Sequence, residues 1–189
     1  MSNEAVIKDV LRDLPIIETE RLILRRMRLD DAEDLFAYGS DPEVTRTTTW
    51  DTHLSIDDSR TFLTWVLEQY ERGEHAGWGI EHKEDGKFIG TVGFVMFSDS
   101  GYVGEIGYAL ARPYWGQGIT TEAAKAVIRF GFDYLGLHRI QATCRADNVG
   151  SYRVMEKAGL RFEGIMRGRR YVKGRFDDIR MYGILRSDR

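Results

Sequence analysis

The sequence predicts an α+β domain, and three patterns support this class. Stretches of alternating apolar and polar residues, typical of strands, occur beside stretches whose apolar residues recur every three to four positions, typical of helices. One strand-helix-strand unit lies between residues 104 and 145, whereas tight turns join other strands directly. The 189 residues suffice for one domain with a proper core. We therefore expect a single domain over 1–189, with a leading helix in 1–15 and a core over 17–185.

The first half of the chain predicts helices around one strand. Apolar residues between Ile7 and Leu14 recur at helical spacing, and Pro15 ends that helix. Residues 19–26 alternate apolar and charged side chains and predict the first strand. Two further helices start at residues of the types that cap helices: Asp30, and then Ser55 or Asp57.

The second half contains a hairpin, the strand-helix-strand unit and a closing hairpin. A turn at Glu84-Asp85-Gly86 joins strands over 78–82 and 87–97. The later elements follow in order: a strand over 102–110, a helix over 120–135, a strand over 139–145, a helix over 148–158 that Gly159 ends, and hairpin strands over 160–172 and 178–185.

Composition excludes several classes of protein. No apolar run approaches the ~20 residues that a membrane-spanning helix needs, and the N-terminal stretch lacks the pattern of a signal peptide. The single cysteine, Cys144, excludes an internal disulfide and predicts a buried, inert thiol. The four histidines show no paired ligand spacing, so no metal site is expected. A cytoplasmic location is the default expectation.

Charge is distributed unevenly along the chain. Residues 1–119 hold 12 Lys or Arg and 22 Asp or Glu, a net charge of −10, whereas residues 120–189 hold 15 and 8, a net charge of +7. A basic second half suits an anionic ligand. The basic run over 167–175 would be the candidate site for nucleic acid, but no nucleic-acid motif accompanies it. A solvated hairpin is therefore preferred, and direct nucleic-acid binding is disfavoured.

Two glycines, Gly116 and Gly118, lie where the strand of the central unit turns into its helix. Glycine permits a sharp turn and the close approach of a ligand. The first amides of a helix lack internal partners and carry partial positive charge. A glycine turn leading into a helix is therefore suited to phosphate binding, although glycines alone are equally compatible with an ordinary connection.

Neighbouring motifs favour the binding interpretation. The segment RPYWGQGITTEA, residues 112–123, follows GEIGYAL and precedes NVGSYRVMEKAGLRFEG. In this order and spacing, the motifs make residues 17–185 resemble the GNAT family of acyl-CoA N-acyltransferases. Within it they are most similar to the RimJ/RimL-like branch, which acetylates N-terminal amines of ribosomal proteins. The resemblance implies the GNAT fold: a mixed, mostly antiparallel central sheet flanked by helices, with acetyl-CoA entering a gap between two splayed strands.

The resemblance also implies a CoA site. In the family, the motif Q/R-x-x-G-x-G/A holds the CoA pyrophosphate on backbone amides. Trp115 stands at its first place and Thr120 at its last, and the middle glycine, Gly118, is retained. The residues expected to bind acetyl-CoA lie at the strand end, in the glycine turn and at two helix starts: Leu110, Ala111, Arg112, Gly116, Gln117, Gly118, Ile119, Thr120, Asn148 and Ser151.

Acetyl transfer requires a neutral amine, a stabilised oxyanion and a thiolate that can leave. The family implies that a backbone amide within 106–110 holds the oxyanion. Asn148 is of N-cap type, and in the family it also reaches the pantetheine arm; both roles stay open. Met155 stands where many relatives carry a tyrosine that protonates the thiolate, and methionine cannot donate. Ser151, the proposed thiolate partner in the ribosomal-protein branch, is the remaining candidate, unless its first helical turn already satisfies it.

Glu105 is the second catalytic candidate. Strand alternation places Glu105 and Gly107 on one face of the sheet and Tyr108 on the other. A carboxylate inside a strand normally needs a partner. It could accept the amine proton through water or bind the ammonium group. The alternative is a structural salt bridge, for example to Arg25 or Arg145.

The expected function is transfer of an acetyl group from acetyl-CoA to a primary amine by direct attack in a ternary complex. An α-amino group has a pKa near 7.7 and lysine one near 10.4, so deprotonating lysine at neutral pH costs about 4 kcal/mol against less than ~1.4 for an α-amine. A weak base therefore favours a protein N-terminus, such as that of a ribosomal protein. The alternatives are a small amine (polyamine, amino acid or antibiotic) and an acyl-CoA-binding module without turnover. A homodimer is compatible with the sequence.

Overall fold

An eight-stranded sheet with a single parallel pair of neighbours forms the centre of the molecule. The computed structural model describes residues 3–189. Its strands are β1 (Ile17–Glu18), β2 (Leu22–Arg25), β3 (Ala76–His82), β4 (Lys87–Ser98), β5 (Val103–Leu110), β6 (Arg139–Arg145), β7 (Arg161–Val172) and β8 (Arg175–Leu185). They lie in the order β1-β2-β3-β4-β5-β6-β8-β7, and every neighbouring pair except β5 and β6 is antiparallel. The mixed, mostly antiparallel sheet of the predicted fold is confirmed.

Helices cover both faces of this sheet. They are α1 (Asn3–Arg12), α2 (Ala32–Gly39), α3 (Pro42–Thr45), α4 (Ile56–Arg72), α5 (Ile119–Asp133) and α6 (Val149–Lys157). On one face, Phe130 of α5 lies edge-on against Trp78, with ring centroids 5.2 Å apart. On the other, Tyr38 of α2 stacks on Phe88 at 6.1 Å. Both aromatic contacts belong to one continuous apolar core that also includes α1 and α6. Within residues 3–189, no helix combines the length and the apolar character needed to cross a membrane.

The first strand differs from the prediction. Instead of one strand over 19–26, the chain forms β1, a turn closed by the Thr19 amide donating to the Leu22 carbonyl at 3.0 Å, and then β2. Arg25, at the end of β2, is only 5% exposed. Its guanidinium forms ion pairs with Asp31 at 2.7 Å and with Glu81 at 2.5 Å, which explains how a charged residue can end a buried strand.

Asp30 was expected to cap the second helix, and this prediction is wrong by one residue. A 3₁₀ turn over Leu29–Asp31 precedes α2, and Asp31 is its N-cap residue. The Asp31 carboxylate accepts the Arg28 amide at 2.7 Å and both terminal nitrogens of Arg25. The ion pair with Arg25 therefore fixes which of the two adjacent aspartates turns inwards.

The other predicted elements occur close to their expected bounds. Of the two predicted starts of α4, Ser55 and Asp57, Ser55 is the N-cap, and Asp58 accepts its amide at 3.0 Å. The closing strand β8 begins at Arg175, three residues before the predicted start at 178. The reason is a two-residue turn at Lys173 and Gly174, whose φ angles of 49° and 79° suit a tight hairpin.

The parallel pair separates after a short run of contacts. β5 and β6 are paired from Val103 with Arg139 to Ile106 with Ala142. Beyond that point β5 continues against β4 and β6 continues against β8. Residues 107–110 therefore pair only with β4, and their edge on the side of β6 faces a gap, as the family resemblance implies.

We expect stability to fall with acidity because of His75. Its ring packs against Tyr70 and Trp65, and its buried Nε2 has no hydrogen-bond partner within residues 3–189. Burial lowers the pKa of His75 to about 4 from its ordinary 6.5. Because the unfolded chain takes up this proton more readily, stability is lost as pH falls from 6.5 towards 4. Between pH 7 and pH 5, the free energy of unfolding measured in urea should fall by about 2 kcal/mol more for the wild type than for His75→Phe. Equal losses in both proteins would contradict this account.

Candidate active site

The turn before α5 forms an anion-binding cradle. Gly116 and Gly118 have φ angles of 74° and 78°, the left-handed region that glycine adopts without strain. Gly118 is the N-cap of α5, and the amides of residues 116–121 donate no hydrogen bond to any described residue of the chain. A methyl group added at Gly116 would meet nothing within 4 Å. These free amides at a helix start fit a pyrophosphate. Binding of CoA by Gly116, Gln117, Gly118, Ile119 and Thr120 stays a prediction.

Arg21 adds a positive charge to this cradle, which the sequence did not reveal. Its Nη1 donates to the Gln117 carbonyl at 2.9 Å, and its Nε donates to Glu122 at 2.7 Å. Glu122 also accepts the Thr19 hydroxyl at 2.6 Å. Burial opposes ionisation, but the bonds from Thr19 and Arg21 outweigh it and lower the pKa of Glu122. The carboxylate in the first turn of α5 is thus compensated by Arg21, which leaves the cradle able to accept an anion.

The residues between β5 and the cradle brace the turn. The Trp115 indole donates to the Leu110 carbonyl at 2.8 Å, and the Ala111 amide donates to the Ile89 carbonyl at 2.8 Å. Arg112 pairs with Asp41 at 2.8 Å. Part of the hydrogen-bonding capacity of Leu110, Ala111 and Arg112 is therefore already used, and their direct contact with acetyl-CoA stays a prediction.

Asn148 lies at the far side of the gap, at the start of α6. Its Oδ1 accepts the Ser151 amide at 3.2 Å, so the predicted N-cap is confirmed. Its Nδ2 donates to the Thr47 hydroxyl at 3.0 Å, in the segment that links α3 to α4. A contact between Asn148 and the pantetheine arm stays a prediction.

Ser151 has a partner that the sequence analysis missed. The Tyr108 hydroxyl donates to the Ser151 carbonyl at 2.9 Å and lies 3.1 Å from its Oγ. Alternation places Tyr108 on the α6 side of β5, but only the folded chain brings it to Ser151. Burial raises the pKa of Tyr108 well above its ordinary value, so its hydroxyl stays protonated. Met155 is 2% exposed and packs in the core, consistent with its having no role as a donor.

Glu105 lies on the opposite face of β5, beside the point where the strands separate. Its carboxylate accepts the Thr143 hydroxyl at 2.7 Å and the Gln141 amide at 3.1 Å. The structural salt bridge offered as an alternative is not formed: Arg25 pairs with Asp31 and Glu81, while Arg145 pairs with Asp147 and Asp177. Within residues 3–189 no cationic group lies within salt-bridge distance of Glu105, whose partners are neutral.

The segment over residues 46–55 and the closing hairpin form the wall of the site on the side of Glu105. Lys173 donates to the Thr45 carbonyl at 2.6 Å, and Arg145 donates to the Arg46 carbonyl at 2.9 Å. These contacts join the hairpin tip to the end of α3. The basic run thus lies in a hairpin, as preferred from the sequence, but part of it reaches the site.

Neither the cysteine nor the histidines add chemistry to this site. Cys144 is 5% exposed, and burial raises the pKa of its thiol, which confirms the predicted inert residue. Among the described residues, no three His, Cys, Asp or Glu side chains come together in a way that would hold a metal ion.

Comparison with known proteins agrees with this geometry. The acetyltransferase (GNAT) domain family matches residues 21–161. The uncharacterized N-acetyltransferase YoaA of Bacillus subtilis is 36% identical over 172 residues, which cover 91% of this chain and 97% of YoaA. The ribosomal-protein-serine acetyltransferase of Escherichia coli is 30% identical over 128 residues, covering 68% and 70%. The crystal structure of a GNAT-family acetyltransferase from Bacillus anthracis matches 90% of this chain and 98% of its own, with 29% identity and a TM-score of 0.80.

We expect Gly118→Val to weaken CoA binding more than tenfold, about 1.4 kcal/mol. The branched side chain disfavours the φ of 78° that aims the amides at the phosphates. Gly136→Val is the matched control, because Gly136, just after α5, also has a positive φ, 65°, but lies at the opposite end of the helix. Calorimetric titration with CoA measures both variants, and equal affinities in the two folded proteins would contradict the cradle.

Proposed function

The chain belongs to the GNAT acetyltransferase family, and from this membership we propose that its acceptor is the α-amine of a protein N-terminus. Members of this family transfer an acetyl group from acetyl-CoA to an amine, and this chain is therefore an acetyl-CoA-dependent N-acetyltransferase. The proposal concerns the acceptor and the residues that act on it. The cytoplasm stays the predicted location, and a homodimer stays a prediction.

The observation that carries the proposal is the environment of Glu105. Its carboxylate has two neutral donors, Thr143 and Gln141, and no ion pair among the described residues. It therefore keeps its negative charge available to an incoming ammonium group. Any carboxylate is a weaker base than an amine, and a weak base suits an amine near pKa 7.7 better than a lysine near 10.4. Glu105 would hold the ammonium form and pass its proton to water.

The relatives support a protein acceptor. The Escherichia coli relative is named for acetylating a serine of a ribosomal protein, and it shares 30% identity with this chain. The sequence resemblance implies that Ser151 stands where the ribosomal-protein branch has its proposed thiolate partner, and that Asn148 stands where the GNAT family has the asparagine that reaches the pantetheine arm. A ribosomal-protein N-terminus is therefore the first acceptor to test.

The proposed reaction runs by direct attack. The cradle amides hold the pyrophosphate, so that the pantetheine arm can enter the gap between β5 and β6. The neutral amine attacks the thioester carbonyl carbon, and a backbone amide within 106–110 stabilises the resulting oxyanion. Collapse of the tetrahedral intermediate breaks the carbon–sulfur bond and releases the CoA thiolate and the protonated amide. That amide loses its proton to water, and the thiolate is later protonated by solvent.

Ser151 and Tyr108 would act together on the leaving thiolate. When Ser151 Oγ turns its proton towards the sulfur, the Tyr108 hydroxyl, which lies 3.1 Å from Oγ, would turn its own proton from the Ser151 carbonyl to Oγ. Two donors in a chain polarise one another and stabilise negative charge better than an isolated serine. This pair supplies the donor that Met155 cannot supply, which argues against a binding module without turnover.

We predict that Ser151→Ala and Tyr108→Phe each lower kcat about tenfold or more while CoA affinity changes little. The reason is that the thiolate develops in the transition state and is absent from the bound substrate. The double variant should be no slower than the slower single variant, because both changes break one chain of donors. Single-turnover kinetics provides the test, and multiplicative losses in the double variant would show that the two hydroxyls act separately.

We predict that the wild type acetylates a peptide with a free α-amine faster than an N-terminally blocked peptide containing lysine, and faster than spermidine. For Glu105→Gln, the deficit on the α-amine should shrink as pH rises to about 9, because the acceptor then deprotonates unaided. Release of free thiol at each pH measures both proteins on every acceptor. A wild type that prefers spermidine would contradict the proposed acceptor, and a constant deficit for Glu105→Gln would contradict its role in handling the proton.

A further inference from the structure

Arg170 is a half-buried cation beside Glu105 that the proposed mechanism does not use. It lies in β7, and its Nη2 donates to the Thr143 hydroxyl at 2.8 Å. The same hydroxyl donates to Glu105 at 2.7 Å, so one side-chain oxygen separates the guanidinium from the carboxylate. Arginine has five N–H donors in a planar fork, and this contact uses one of them.

The carboxylates nearest to Arg170 contact other groups, and the buried Oδ2 of Asp177 has no hydrogen-bond partner within residues 3–189. Asp177, its cross-strand neighbour in β8, pairs with Arg175 at 3.0 Å and with Arg145 at 3.8 Å. Asp178 accepts the Gly168 amide at 2.8 Å. Among residues 3–189, no carboxylate lies within 4 Å of the Arg170 guanidinium. Within residues 3–189 Arg170 forms no ion pair, so the free part of its half-buried guanidinium is open to an anion that arrives with the substrate.

The opposite charges of Glu105 and Arg170 suit an acceptor that carries both an ammonium group and a carboxylate. Both are reached from the sheet face opposite α5 and α6, the face on which the amine is expected to arrive. Glu105 suits an ammonium group, and the free part of the Arg170 fork suits a carboxylate. Their separation by one hydroxyl limits how far apart the two groups on the acceptor can be. An extended peptide advances about 3.3 Å per residue, so only the first residues of a chain meet this limit.

We propose that Arg170 selects acceptors that carry a carboxylate close to the reacting amine, in the form of an acidic side chain at the first or second residue of the N-terminus. The inference rests on the proposed function, because it adds a specificity determinant to the same acceptor site. The same chemistry exists in a free amino acid, whose own carboxylate adjoins its amine.

Matched peptides test the proposal. The measured quantity is the ratio of kcat/KM for a peptide with Asp at position 2 to that for the same peptide with Asn. The wild type should favour the acidic peptide at least tenfold, and the preference should vanish when Asp moves to position 6. Arg170→Gln should bring the ratio close to one, and Arg170→Lys should restore part of it. Arg169→Gln is the control. Arg169 is exposed in the same strand and does not contact Thr143, so this substitution removes the same charge without disturbing that contact.

The outcomes separate this inference from the proposed function. A wild-type ratio near one on well-acetylated peptides would overturn the role of Arg170 and leave the N-terminal acceptor standing. Equal loss of preference in Arg169→Gln would also overturn it, because the effect would then be one of overall charge. If Arg170→Gln weakens CoA binding in calorimetry and leaves the ratio unchanged, its anion is part of CoA, and the inference fails. Faster acetylation of free aspartate than of any peptide, abolished by Arg170→Gln, would support carboxylate recognition and reject the protein acceptor.

Discussion

The separation of β5 from β6 is the constraint on which the rest of the site depends. Four residue pairs hold the two strands parallel, and beyond them each strand keeps only the antiparallel neighbour on its other side. Backbone groups that a continuous sheet would satisfy are left facing a gap, and unpaired backbone groups away from water are costly. A ligand with amides of its own, such as the pantetheine arm of acetyl-CoA, removes this cost. The same break that weakens the sheet therefore creates the binding slot.

Polar side chains next to this separation lie on opposite faces of the sheet. Glu105 lies before the break and contacts Thr143 and Gln141, whereas Tyr108 lies after it and contacts Ser151 of α6. Because residues an odd number of positions apart on a strand point to opposite faces, the group proposed to meet the amine and the group proposed to act on the sulfur lie on opposite faces of one strand. The glycine turn follows this strand after a 3₁₀ turn over Arg112–Tyr114, and the bond from the Trp115 indole to the Leu110 carbonyl ties the two together. The strand and the braced turn thus set the positions of Glu105, Tyr108 and the cradle relative to one another.

Local patterns predicted the elements of this arrangement, and tertiary contacts supplied the rest. The glycine turn and the cap at Asn148 depend on neighbours within a few residues, so the sequence alone predicts them. The bond between Arg21 and Gln117 joins residues 96 positions apart, and no local pattern marks it. Tyr108 and Ser151 are 43 positions apart. The wrong choice of Asp30 over Asp31 has the same origin, because the buried ion pair with Arg25 decides between two residues that are equally good caps by type.

Met155 stands where a proton donor would be expected, and the donors of this chain come from other positions. In many relatives a tyrosine in this helix serves the leaving thiolate, and here the helix offers only a buried thioether. The tyrosine of this chain reaches the same end of the gap from β5, through the hydroxyl of Ser151. A thiol has an ordinary pKa near 8.5, below that of either hydroxyl, so neither residue gains by giving its proton away completely. In the proposed mechanism the pair therefore stabilises the thiolate by hydrogen bonding, and the pH dependence of the reaction comes from the amine.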